Sequence, residues 1–251
     1  MSAPGDQRGR EAATQDAPGP GATQGASAAA PTFRALGPAD LDRVYAVHLL
    51  AMAAVGDPKL VKPEDRGFFE RLLGGEGRLL GAFRDGELLG YGVLQLHLPP
   101  SEDARPYLGI PAAEGLAKLA GAGVRPGDWG AGLHDRFIEW RVTEGARLGI
   151  EHLYATAAPG NPRSWANLMA GGFAVRALEE KYGGHLRYLM WRRAATPAAT
   201  AAEAPPPEGA EGLWLPAEDA PAQRAALEAG RLGLRWRRRP DGGRDLWYAR
   251  P

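Results

Sequence analysis

The residues Trp129-Gly130-Ala131-Gly132 stand where a strand-like run gives way to an amphipathic pattern beginning at Leu133. A glycine-rich turn that opens into a helix aims several unpaired backbone N–H groups, and the positive end of the helix dipole, at one point. Such a point favours a phosphate or pyrophosphate. Further along, Asn161-Pro162 reads as a helix N-cap followed by proline at the first helical position, with Ser164 in the same first turn. Other chemistry is sparse. Cysteine is absent, which excludes disulfides and thiol catalysis. The 5 His have no spacing suited to a metal site, so no metal is expected. The run Arg235-Trp236-Arg237-Arg238-Arg239 interleaves basic and aromatic residues as nucleic-acid surfaces do. It is short, and the chain balances Lys+Arg 30 against Asp+Glu 30, so it is read as a charge-protected strand edge instead.

The elements that must position these residues follow from periodicity. Residues 1–31, rich in Ala, Gly, Pro and Gln, carry too little apolar surface to offset ordering and are expected to be a disordered arm. Thr32 to Leu36 is a first strand. Pro38 opens a helix with Leu41, Val44, Tyr45, His48, Leu49 and Met52 on one face, where His48 is expected to pack. A second helix is expected from about Pro63 to Leu73. The runs Arg78–Phe83 and Leu88–Leu98 flank Asp85-Gly86, a hairpin signal, and a long polar loop covers Ser101–Gly115. Leu116–Val124 is a strand whose Gly121-Ala122-Gly123 suggests a bulge or the close approach of a ligand. A helix from Leu133 to Leu148, a strand His152–Ala158, a short helix to Ala170 and a hairpin over Phe173–Glu180 and His185–Arg193 follow.

Four segments result: the arm 1–31, a main domain 32–193, a Pro/Ala linker 194–212 and a C-terminal segment 213–251. The last holds three tryptophans but is too small for a core of its own, so it is expected to dock on the main domain or on a partner. Hydrophobic residues at 44% suffice for a real core. No apolar run approaches the roughly 20 residues of a membrane span, and the N-terminus lacks the apolar centre of a secretory signal. A cytoplasmic location is therefore expected.

The order β-α-α-β-β-β-α-β-α-β-β, with a glycine turn after the fourth strand, resembles the GNAT N-acetyltransferase superfamily over roughly Thr32 to Arg193. The resemblance rests on Val124-Arg125-Pro126 followed by Trp129-Gly130-Ala131-Gly132-Leu133, on Gly149 closing the next helix, and on Asn161-x-x-Ser164 with Gly172-Phe173. It implies an α/β (α+β) fold: a mixed, mostly antiparallel twisted sheet, splayed between strands 4 and 5, with helices on both faces and a small C-terminal appendage. It further implies acetyl-CoA as co-substrate and a primary-amine acceptor attacked directly in a ternary complex. The coenzyme's pantetheine arm would pair with main-chain groups of Ala122 and Val124. Its pyrophosphate would meet the turn formed by Trp129, Gly130, Ala131, Gly132, Leu133 and His134, with Asn161 and Ser164 on the other flank.

The departures from the family pattern bear on catalysis. Trp129 replaces an Arg or Gln, and either contacts the coenzyme or packs at the surface. His134 replaces a Gly or Ala, and either bonds a phosphate or faces solvent. Where many relatives of this kind carry a Tyr that reprotonates the thiolate, this chain has Leu168, and no Asp or Glu lies within Lys118–Val124. Remaining candidates for acid–base work are Tyr182, His97 and Glu114, with the Val124 backbone N–H as oxyanion donor. The alternative is an acyl-CoA-binding or interaction module that has lost catalysis.

Overall fold

The computed structural model describes residues 29–57, 59–196, 202–203 and 205–251. The expected disordered arm lies almost wholly, and the linker partly, outside the described residues. In chain order the elements are β1 (Thr32–Ala35), α1 (Leu41–Val55), α2 (Arg66–Arg71), β2 (Gly77–Arg84), β3 (Glu87–Gln95) and α3 (Arg105–Leu108). Then come β4 (Leu116–Val124), α4 (Leu133–Arg147), β5 (His152–Ala157), α5 (Pro162–Ala170), β6 (Ala174–Lys181) and β7 (His185–Arg193). The chain ends with β8 (Leu213–Pro216), α6 (Ala220–Glu228), β9 (Leu232–Arg238) and β10 (Arg244–Ala249).

All the strands join one sheet in the order β1-β2-β3-β4-β5-β7-β6-β9-β10-β8. Neighbours are antiparallel except β4 and β5. The β2–β3 hairpin turns through Asp85 (φ 52°) and Gly86 (φ 82°), the doubly positive geometry that suits right-twisted strands and favours the Asp-Gly step. Successive β3 side chains go to opposite faces. Tyr91 reaches His48 of α1, whereas a Cβ added at Gly92 would lie 2.8 Å from Phe137 Cβ of α4. Helices α1 and α4 therefore cover opposite faces, and the missing Cβ of Gly92 lets α4 sit close to the sheet.

Three sequence expectations shift. The second helix starts at Arg66, because the Asp65 carboxylate accepts from Phe68 N–H (2.7 Å) and caps it there. The third strand ends at Gln95, since Leu96 and His97 turn their N–H groups to the Glu76 carbonyl. The polar loop contains a turn at Pro100–Glu102 and the short α3, with Leu108 and Ala104 buried against Tyr154 and Leu189.

The C-terminal segment continues the sheet. Strand β9 lies along β6 at Val175↔Gly233, and Trp236 packs edge-on against Trp165 at 5.7 Å between ring centres. Gln223 of α6 is fully buried; its Oε1 accepts from Tyr188 Oη (2.8 Å) and Tyr248 Oη (2.7 Å), and its Nε2 donates to the Pro216 carbonyl (2.7 Å). The arginine cluster is matched by acids: Arg237 with Asp245, Arg238 with Glu203, and Arg239 with Glu218, Asp241 and Asp245.

Candidate functional site

Strands β4 and β5 pair only over Leu116–Lys118 with His152–Tyr154, and beyond that they diverge. An extra residue drives the divergence. Val93 faces Gly121 while Leu94 faces Leu119, so Ala120 is a bulge that bends β4 away from β5. The bulge precedes the glycine pair predicted to form it. Gly123 instead admits the Tyr91 ring, since a Cβ there would stand 2.6 Å from it. At Gly123 the close approach is made by the chain's own tyrosine, while a Cβ at Gly121 would meet nothing within 4 Å.

The divergence leaves main-chain groups free. Arg125 N–H donates to the Leu89 carbonyl (2.8 Å) across the β3–β4 ladder. By strand alternation, Val124 and Ala122 direct their N–H and C=O groups away from β3 and into the gap. The Val124 carbonyl accepts from Trp129 Nε1 at 2.9 Å, and Arg163 of α5 lies over the Trp129 ring at 5.4 Å. Trp129 is 42% exposed and ties the turn to both β4 and α5. Asp128, the acid beside the turn, is paired with Arg84 at 2.9 Å.

The turn itself has Gly130 at φ 86° and Gly132 at φ 72°, conformations that favour glycine. Gly132 caps α4 without a side-chain acceptor, and the first intrahelical bond is Arg136 N–H to the Gly132 carbonyl. The N–H groups of Leu133, His134 and Asp135 consequently have no acceptor within the helix. Asn161 caps α5, its Oδ1 accepting from Ser164 N–H at 3.2 Å. His134 Nδ1 accepts from Asn167 Nδ2 (3.1 Å), which places the ring proton on Nε2. Burial, then the guanidinium groups of Arg141 and Arg163, holds the His134 imidazole down to about 3, so it is neutral near pH 7.

A cavity of about 130 Å³ runs through the gap from the α1 face to the α4 face. On the α1 face it is lined by His48, Lys62, Glu64 and Tyr182, on the other by His134, Arg141, Asn161 and Ser164, with Gly121 and Ala122 between. His48 is 3% exposed. Its Nε2 accepts from Glu64 N–H (3.1 Å), so Nδ1 carries the proton to Tyr91 Oη (2.9 Å), and burial keeps its pKa below the ordinary value. Glu64 pairs with Lys62 at 3.1 Å; burial nevertheless pushes its carboxyl above the usual range, the Lys62 ammonium offsetting only part of that push.

Beneath the cavity lies a buried charge cluster. Lys118, 2% exposed, donates to Glu102 Oε2 (2.6 Å) and Tyr182 Oη (3.0 Å). Lys62 reaches Glu102 Oε1 at 3.0 Å, and Thr156 and Tyr182 hydroxyls meet at 3.2 Å. Burial alone would raise the Glu102 carboxyl, but the Lys118 and Lys62 ammonium groups hold it below the ordinary value.

Of the three acid–base candidates, only Tyr182 lines this cavity. His97 is exposed beyond the end of β3. Glu114 hydrogen-bonds His152 at the closed end of the β4–β5 pair, away from the gap. Sequence reasoning missed Glu64, Lys118, Glu102, Arg141 and Arg187. Two of these carried a signal. Arg141 continues the four-residue steps of Leu133 and Phe137 along a buried stripe, and Lys118 interrupts the apolar run Leu116-Ala117-Leu119. A wider cleft of about 940 Å³ opens elsewhere, against Pro207, Ala210 and Glu211, and holds none of the sequence-predicted site residues.

No protein-family model matches the chain, and no curated protein matches it. Solved structures do. A GNAT-family acetyltransferase from Listeria monocytogenes is 14% identical, covering 65% of this chain and 94% of that one, with a TM-score of 0.52. The yncA protein of Salmonella typhimurium, with its cofactor acetyl-CoA, is 18% identical, covering 68% of this chain and 98% of that one at a TM-score of 0.50. The chain has the fold of the GNAT acetyltransferases.

Proposed function

We propose that this protein is an acetyl-CoA-dependent N-acetyltransferase acting on a primary amine. The observation that carries the reading is the cavity through the β4–β5 gap, lined by Ala122 of β4, whose main-chain groups face away from β3, and by the Glu64 carboxyl on the α1 face. The residues present fit an acyl-CoA. Orphan N–H groups of Leu133, His134 and Asp135, with Arg163 nearby, suit a pyrophosphate; the N–H and C=O of Ala122 and the N–H of Val124 suit the amides of a pantetheine arm. Asn161 and Ser164 line the opposite flank.

Glu64 is the general base of this scheme, directly or through one water. Its raised pKa suits a carboxylate that must take a proton from an ammonium near neutral pH. The freed amine attacks the thioester carbon, a C–N bond forms, the nitrogen releases its second proton to water, and the C–S bond breaks. A main-chain N–H of β4 at the gap donates to the oxygen as its charge develops. Tyr182 supplies the proton that the departing thiolate takes up, and the Lys118 ammonium, which donates to its hydroxyl, re-supplies it. Leu168, 4% exposed, offers no proton at the position where many relatives have a tyrosine.

The test is amine-dependent thiol release from acetyl-CoA across a panel of primary amines. Release above the hydrolysis background supports transfer. Saturable acetyl-CoA binding with no release from any amine favours the module that has lost catalysis.

A further inference from the structure

The cavity holds more cations than its own acids can match. Glu64 is paired with Lys62, and Glu102 with Lys118 and Lys62. Two guanidinium groups on the same cavity are left over. Among the described residues, Arg141 donates only to carbonyl oxygens, those of Phe137 (2.9 Å) and Gly121 (3.1 Å). Arg187, on β7, is 3% exposed and donates through Nη1 to its neighbour's carbonyl at Leu186 (2.9 Å). Its Nη2 is buried without an acceptor among the described residues. Glu179 stands directly opposite on β6 yet forms no ion pair with it among the described residues.

A buried guanidinium without an anion is costly, and chains keep such groups chiefly where a ligand completes them. Arg187 belongs to the α1 side of the gap, where its guanidinium lies 5.7 Å from the centre of the Tyr182 ring, and Glu64 lines the same side. A second ammonium brought there would meet Lys62 and Arg187, with both nearby carboxylates already taken. An anion would meet what it lacks elsewhere.

Resting on the acetyltransferase reading, we propose that the acceptor is a small primary amine whose own molecule carries a carboxylate or phosphate, which Arg187 binds while the amine faces Glu64. Polyamines are excluded by the same charges. The test uses pairs that differ only by a carboxylate: alanine and ethylamine, ornithine and putrescine, lysine and cadaverine. Phosphoethanolamine separates phosphate from carboxylate. The wild-type protein is expected to prefer the carboxylated member of each pair, or phosphoethanolamine over ethylamine, by about tenfold or more in kcat/KM. Arg187→Leu, which exchanges a buried cation for an apolar side chain of tolerable shape, collapses that ratio toward one, and Arg187→Lys restores part of it.

Equal use of both members, a preference for the decarboxylated amines, or a ratio unmoved in a folded Arg187→Leu variant overturns the proposal. If no amine releases thiol, the acetyltransferase reading fails by itself. Calorimetric titration of the same pairs into the CoA-loaded protein then decides the anion site. Tighter binding of the anionic members upholds it, and no difference within the pairs refutes it.

Discussion

Glu64 and Lys62 flank Pro63 in a segment that sequence periodicity treats as the start of a helix, yet both side chains line the cavity. What makes Glu64 useful is burial, a property of its neighbours, so no local pattern announces it. If it is the base, kcat/KM rises with pH as the carboxyl deprotonates, over a limb displaced above the ordinary carboxylate range. Glu64→Gln should lower kcat/KM by about 10²–10⁴-fold and flatten that limb. A pH–rate profile on both proteins checks this, and an unchanged limb in the variant assigns the base elsewhere. The turn residues were the legible part of the site, because Gly130 and Gly132 announce positive φ and Asn161-Pro162 announces a cap. Tyr182 is reached through its hairpin, whereas a strand end and a long loop, which periodicity does not specify, decide where His97 and Glu114 point.

At the scale of elements, β3, β4 and α4 work as a unit. Gly90 and Gly92 leave room for Phe137, so α4 and the turn that precedes it sit close on the strands that form the gap. Gly92→Ala should destabilise the protein by about 1–3 kcal/mol, since its Cβ would meet the fully buried Phe137 2.8 Å away. Urea unfolding measures the loss, and the same variant should bind acetyl-CoA more weakly as α4 is displaced. Periodicity located these elements because their apolar residues repeat along single faces. It could not locate the bulge at Ala120, which depends on how Leu94 and Val93 register against β4.

Across the whole molecule, one sheet carries both the gap and the C-terminal strands. Gln223 links them: its side chain joins α6 to Tyr188 of β7 and Tyr248 of β10. Gln223→Leu keeps the volume but leaves the buried Tyr248 hydroxyl without its acceptor and the Tyr188 hydroxyl with only the Ala217 carbonyl at 3.4 Å, and should cost about 2–4 kcal/mol. Thermal or denaturant melts would record it, and a loss within experimental error would show that the C-terminal strands are not coupled to the core through this residue. The size of the segment indicated that it must dock. Its place beside β6 follows from one antiparallel register, Val175↔Gly233, that no sequence pattern specified.

We propose that the β4–β5 gap and the turn ahead of α4 together receive an acyl-CoA. Amide hydrogen exchange with and without acetyl-CoA tests it most directly, because the groups assigned to the coenzyme are backbone N–H groups. Slowed exchange is expected in peptides covering Ala122–Val124 and Leu133–Asp135, with little change across β8 to β10. Binding that leaves both peptides unprotected, or that protects the C-terminal strands instead, would contradict it.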